Sequence, residues 1–199
     1  MKKVSYGMIL AFLCLCFGQT VAQSYAPKID YTLSQLVENG QLEYNDVQWT
    51  ITDQNVSSTS GVTHIYYRQL VNGLEVYGSE SGMHLSPDGS LLTQSNRFVN
   101  QTTSRTSSGN TPSLSAVQAV EAAADQLGYT TGSLSVLETK EGVAQETRIS
   151  KGSVSLSEIP AKLTYQLNEA NELVLAWDLS IQEVSGHDWW SVRVNANTG

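Results

Sequence analysis

An α+β fold of two small units, each a helix laid on an antiparallel sheet, is what this sequence predicts, and three observations carry the prediction. Apolar residues recur at helical spacing twice, once over residues 30–39 and again over residues 113–128. Each helical stretch is followed by runs that alternate apolar and polar residues, the period of a half-buried strand. Between the two sets lies NQTTSRTSSGNTPS, residues 100–113, with no large apolar residue to enter a core. That segment reads as a linker or a long loop. A helix covering one face of a twisted sheet hides the apolar side of both, which is the α+β solution.

The first 22 residues stand outside that fold. Lys2 and Lys3 begin a segment whose residues 8–17 are all apolar, and Thr20-Val21-Ala22 supplies the small-residue ending of an export signal. The apolar run is shorter than the roughly 20 residues a membrane span needs. Cys14 and Cys16 follow Leu13 and Leu15, where lipid attachment would want a small residue, so plain export through a bacterial-type signal is expected. Both cysteines leave with the signal. The mature chain then has no disulfide, no thiolate nucleophile and no cysteine-ligated zinc. Its charge balance becomes 9 Lys and Arg against 19 Asp and Glu, about −10. An acidic chain without basic clusters argues against nucleic acid and against an anionic membrane surface. About 177 residues are enough for a core without cross-links.

In the first half, DYTLSQLVEN places Leu33, Leu36 and Val37 on one helical face, with Gly40 as a stop. VQWTITD reads as a strand around Trp49 and Ile51, followed by a loop at residues 55–61. The stretch HIYYRQLVNGLEVYGSESGMHLSPDGSLLTQS, residues 64–95, reads as strands joined by turns. Asn72-Gly73 is a hairpin signal because both turn positions need positive φ. Ser86-Pro87-Asp88-Gly89 is a second turn, Pro presetting φ and Gly accepting the left-handed region. LLTQSNRFV continues as a further strand.

The second half repeats the plan. Leu114, Val117, Val120, Ala124 and Leu127 share a helical face, and Gly128 ends it. SLSVLET, a polar hairpin region and AKLTYQL follow. ELVLAWDLSI alternates strictly, with Leu173, Leu175, Trp177, Leu179 and Ile181 on one face; WWSVRVNA does the same with Trp190, Val192 and Val194.

Motifs that carry chemistry are scarce. No histidine among His64, His84 and His187 has another four residues on, so HExxH is absent, and each reads as a surface histidine without a metal or catalytic role. There is no GxSxG elbow, phosphate loop or dinucleotide fingerprint. Asp88 and Asp178 are lone carboxylates. Asn55-Val-Ser57 and Asn100-Gln-Thr102 match glycosylation sequons, a pattern common by chance. In Trp189-Trp190, strand alternation sends one ring to the core and one to the surface, which favours packing over a carbohydrate platform. No catalytic residue and no bound metal is expected.

These residues carry a resemblance. Arg68-Gln69, then Asn72-Gly73, Leu74-x-Val76, Gly78 and Asp88-Gly89 follow the order of the fungalysin/thermolysin propeptide (FTP) domain. The helix ending AADQLG, then KLTYQL, LAWDLSI with Trp177, and WWSVRVNANTG with Trp190 resemble the PepSY-type module that follows it in such precursors. The family ends on Asp-Ala-x-Thr-Gly; here Asn195 replaces the Asp. The resemblance implies cystatin-like and PepSY-like modules at residues 23–99 and 114–199, behind a signal at 1–22 and joined by a linker at 100–113. It implies the pro-region of a secreted zinc metallopeptidase, a zymogen segment that helps the catalytic domain fold and inhibits it. The partner would be that catalytic domain, in cis or in trans. The only zinc expected belongs to it, and it is absent from these 199 residues. The alternative is a free-standing secreted protease inhibitor or an envelope-associated binding module. On β parity Tyr66, Arg68 and Leu70 share one face of a strand and Tyr67, Gln69 and Val71 the other. One face packs on the helix and one is open to a partner, with Tyr66, Arg68 and Gln69 as the interface candidates.

Overall fold

The structure, a computed structural model, describes residues 20–107 and 109–199. Most of the expected export signal lies outside the described residues.

Helix α1, Thr20–Glu38, begins well before the expected Asp30 and runs across the expected cleavage point after Ala22. Ile29 and Leu33 are fully buried beneath it, and Leu36 and Val37 pack against the same cluster. Gly40, at φ 70°, ends the helix as the left-handed stop that the sequence implies. A single 3-10 turn, Tyr44–Asp46, leads into sheet 1.

Sheet 1 holds β1 (Trp49–Val56), β2 (Thr63–Val71), β4 (Ser81–Leu85) and β5 (Leu91–Ser95) in the order β1-β2-β4-β5, with the short β3 (Leu74–Glu75) paired to the far end of β2. All pairings are antiparallel. Ile65, Tyr67, Met83 and Leu85 point to α1 and close a core with Leu42 and Phe98.

Sheet 2 is ordered β10-β9-β8-β7-β6, from β6 (Val136–Thr139), β7 (Thr147–Ile149), β8 (Ile159–Leu167), β9 (Leu173–Gln182) and β10 (Trp189–Asn195). Its helix, α3 (Ala116–Gln126), starts with a reciprocal cap: Gln118 N–H donates to Ser115 Oγ and Ser115 N–H to Gln118 Oε1. Leu173, Leu175, Trp177, Leu179 and Ile181 are all buried, as their alternation predicts. The architecture is therefore α+β, two antiparallel sheets with few helices.

The two halves share more than the sequence suggests. Strand β7 covers only the start of β8, pairing with Ile159, Pro160 and Ala161. The segment that leaves β3 runs parallel beside the later part of β8, with Val76 opposite Tyr165 and Tyr77 N–H donating to Tyr165 C=O at 2.8 Å. Val71, Leu74 and Val76 thereby join the core of sheet 2.

Residues 100–113 also depart from the expectation that nothing there enters a core. Thr102–Arg105 forms a short helix, α2, and Thr102 is 2% exposed. The buried Asp46 carboxylate accepts from the N–H groups of Glu43, Gln101 and Thr102 and from Thr102 Oγ. Thr106 then bridges to Leu173. A polar segment can be buried when each polar group finds a partner, and one carboxylate supplies four such bonds.

Candidate functional site

The candidate surface is built on β2, whose side chains alternate between α1 and the opposite face. The predicted parity holds: Ile65, Tyr67, Gln69 and Val71 are buried, and His64, Tyr66, Arg68 and Leu70 are partly exposed. Arg68 and Gln69, adjacent in the motif, therefore do different work.

Gln69 is fully buried and, contrary to the expectation for an interface residue, does not lie on the open face. Its Nε2 donates to Asp46 C=O and to Val99 C=O, and its Oε1 accepts from Val99 N–H, all at 2.8 Å. One amide thus ties β2 to the turn before β1 and to the chain after β5. Strand parity already put Gln69 on the face opposite Tyr66 and Arg68, and the burial of Tyr67 and Val71 shows that this face is the inner one.

Arg68 lies on the open face within an ion cluster. Its guanidinium reaches Glu75 at 2.5 Å and Glu80 at 2.9 Å, and Lys162 of β8 reaches the same Glu75 oxygen at 2.8 Å. Burial pulls the Arg68 guanidinium down, but the hydrogen bonds and charges of Glu75 and Glu80 outweigh it and raise its pKa. Burial pushes the Glu75 carboxyl up, and Lys162 and Arg68 more than reverse that, leaving its pKa lowered. Tyr66 stands beside this cluster on the same open groove, which Asp53 also lines. Sequence reasoning missed Glu75, Glu80 and Lys162, the last of which comes from the other half of the chain.

The motif residues at 72–78 join the halves. Asn72 and Gly73 take the positive φ values a tight hairpin demands, 51° and 79°. Asn72 Nδ2 also donates to Tyr165 Oη at 2.9 Å, and a Cβ on Gly73 would stand 3.3 Å from Val143. Val76 is fully buried, and Gly78 turns the chain at φ 80°. Asp88 and Gly89 form a self-contained turn: Asp88 accepts from Ser86 and Ser90, which hold its carboxyl at about 2. Trp177 is buried, its indole N–H donating to Leu114 C=O, and Trp190 packs partly buried with its N–H on Tyr129 Oη. Trp189 is 73% exposed, as alternation requires.

Two clusters resemble catalytic sites without having the right order. At Glu183–Ser185–His187, Ser185 Oγ donates to Glu183 and meets His187 Nδ1 at 2.8 Å. In a nucleophilic triad the acid orients the histidine and the histidine takes the serine proton. Here the acid holds the serine proton directly, so the hydroxyl is not activated. His64 and His84 face each other across β2 and β4 with their Nδ1 atoms 2.8 Å apart. Among the described residues no group of three or more His, Cys, Asp or Glu is placed to hold a metal ion.

The order of turns and strands that builds this surface has a counterpart in known proteins. Residues 47–98 match the Fungalysin/Thermolysin Propeptide Motif. The propeptide motif spans β1 to β5 and takes in Arg68, Gln69, both tight turns and Gly78, so the resemblance read from those residues is found by this comparison as well. Similar chains include the extracellular metalloproteinase MEP of Leptosphaeria maculans, 24% identical over 154 residues, 77% of this chain and 24% of that protein. Extracellular metalloproteinase 1 of Phaeosphaeria nodorum is 24% identical over 176 residues, 87% of this chain and 27% of that protein. Extracellular metalloproteinase 10 of Coccidioides posadasii is 27% identical over 153 residues, 73% and 23% respectively. The chain thus spans about a quarter of the length of these relatives. Among solved structures, the C-terminal domain of Bacillus megaterium YpeB aligns at TM-score 0.36 and 16% identity, over 86% of this chain and 60% of that one. That likeness is too loose to bear on fold or function. Among the described residues no helix is long and apolar enough to cross a membrane.

Proposed function

We propose that this chain is the non-catalytic pro-region of a secreted zinc metallopeptidase of the fungalysin/thermolysin type, an intramolecular chaperone and inhibitor of the catalytic domain. The observation that carries the reading is the propeptide motif at residues 47–98, set within relatives that are extracellular metalloproteinases and that extend well beyond the matched part. In this reading residues 23–99 are the propeptide unit and 114–199 a PepSY-like unit, behind a signal ending at Ala22. No resident cofactor is required, because the zinc of such an enzyme belongs to its catalytic domain.

The inhibitory surface in this proposal is the open face of sheet 1 around Tyr66 and Arg68, together with the free edge of β5. All five residues of β5 are exposed, and Leu91 and Leu92 are 50% and 57% exposed. An exposed edge strand accepts an extended chain through main-chain hydrogen bonds, the form in which proteases hold substrates. Blocking a cleft needs no chemistry from the blocker. Contacts that bind only the folded enzyme also favour its folding by mass action.

The test is an inhibition constant for the purified chain against the metallopeptidase encoded with it, with Tyr66→Ala as the probe. A side chain at the centre of an interface is worth about 1–2 kcal/mol, so inhibition should weaken about tenfold with the melting curve unchanged. Absence of inhibition by the wild-type chain discards the mechanism. Unchanged inhibition by Tyr66→Ala moves the contact to another face.

A further inference from the structure

We propose that His64 and His84 form a two-histidine site for a borderline divalent transition-metal ion, copper(II) or nickel(II) in class. The inference stands apart from the pro-region reading and departs from the expectation that no histidine binds metal. That expectation considered ligand spacing along the chain, whereas this pair is made by strand register between residues 20 apart.

His64 lies directly opposite His84 in the β2–β4 ladder, and the flanking pairs Thr63 with Leu85 and Ile65 with Met83 hold the two backbones. Ile65, Met83 and Leu85 are at most 2% exposed, so the strands beneath the pair are anchored in the core. The rings sit 4.8 Å apart between centroids and cross at 67°, with Nδ1 facing Nδ1 at 2.8 Å. Two neutral imidazoles cannot direct both Nδ1 lone pairs at each other across that gap. Either one ring carries its proton on Nδ1 and donates it to the bare Nδ1 of the other, or both bare Nδ1 atoms turn to a metal ion that stands to the side of the line joining them.

The gap suits an ion of particular geometry. With metal–nitrogen bonds of about 2.0–2.1 Å, two imidazoles on one ion stand about 2.9 Å apart at a right angle and about 3.4 Å apart at the tetrahedral angle. The observed separation is nearest the right-angle value, which is the tetragonal preference of copper(II) and nickel(II). Neutral nitrogen donors suit those ions, whereas calcium and magnesium want oxygen. Both histidines are only partly buried, so water can complete the coordination. His187 is the internal contrast: it is exposed, and its Nδ1 is engaged by Ser185 rather than by a second histidine.

The test titrates copper(II) sulfate and nickel(II) chloride into the full chain by calorimetry, alongside His64→Gln, His84→Gln and the control His187→Gln. The expected result is one ion per chain for the wild type and the control, and binding weakened at least about tenfold in each of the other two variants. Nickel should raise the melting temperature of the wild type and leave both variants unmoved, since an ion held across β2 and β4 stabilises the folded state. Should either variant unfold, the electron paramagnetic resonance spectrum of the copper-loaded wild type decides, with hyperfine coupling from two imidazole nitrogens expected. Equal binding by the variants, no stoichiometric binding by the wild type, or a spectrum with fewer than two imidazole nitrogens overturns the proposal.

Discussion

The two faces of β2 are built from nearly the same residue types and behave differently. On the buried face lie Ile65, Tyr67, Gln69 and Val71; on the open face lie His64, Tyr66, Arg68 and Leu70. Each face has a tyrosine, a long polar side chain and an aliphatic one. Inside, the polar side chain is a fixed structural tie with three hydrogen bonds. Outside, it belongs to an ion cluster open to solvent on one side. A polar residue on a strand is thus structural or available according to what stands opposite it, and its type does not tell which.

The contrast is broken most strongly at Gln69. Gln69→Ala leaves Asp46 C=O, Val99 C=O and Val99 N–H without their partner. Buried polar groups left unpaired cost about 1–3 kcal/mol each and not additively, so a loss of about 3 kcal/mol is expected in urea unfolding. A loss under about 1 kcal/mol would show that the amide is replaceable by water and that the inner face is not as dry as drawn.

A smaller effect is expected at Arg68. Arg68→Ala removes two charge-assisted contacts but leaves Glu75 its bond to Lys162, so about 1–2 kcal/mol is expected. The pH dependence sharpens this. Glu75 has a folded-state pKa below its ordinary 4.5, so its contribution is present above about 4.5 and is lost as pH falls through the folded value. Arg68→Ala should flatten that acid-side loss, measured as the melting temperature between pH 6 and pH 3. An unchanged acid profile would assign the depression of Glu75 to Lys162 alone.

Much of this could be read before any coordinates. Parity on β2, the alternation from Leu173 to Ile181, the Gly128 end of α3 and both tight turns follow from local periodicity and from positions where φ must be positive. What was hidden is non-local. Nothing near Asp46 says that its carboxylate collects four donors from as far away as Thr102. The strand slot left open beyond β7, which draws Val76 to Tyr165, depends on the length of β7 rather than on any motif. The candidate site suffered in the same way: parity separated Tyr66 and Arg68 from Gln69, but not which set faced α1. The His64–His84 pairing required the register of β2 against β4, which a hairpin signal at Asn72 does not set for a strand reached through a longer connection.

The smallest expected effect has the opposite sign and lies on the inner face at Tyr67. Its ring is fully buried, edge-on to Trp49 and Phe98, and its hydroxyl has no hydrogen-bond partner. A buried unpaired hydroxyl carries a desolvation cost that nothing offsets, and deleting it while keeping the ring removes that cost. Tyr67→Phe should therefore stabilise the chain by about 1 kcal/mol, a rise of about 3 °C in melting temperature at neutral pH. Burial also pushes the Tyr67 hydroxyl from 10.0 to about 12. A raised folded-state value means that the unfolded chain ionises first. The stability associated with neutral Tyr67 is intact below about pH 10 and is lost as pH climbs towards 12. Phenylalanine has no such loss, so the advantage of the variant should widen between pH 10 and pH 12 in paired melting curves. A variant less stable than wild type at pH 7 would mean that the hydroxyl has a partner after all, and that the inner face of β2 holds a second polar tie beside Gln69.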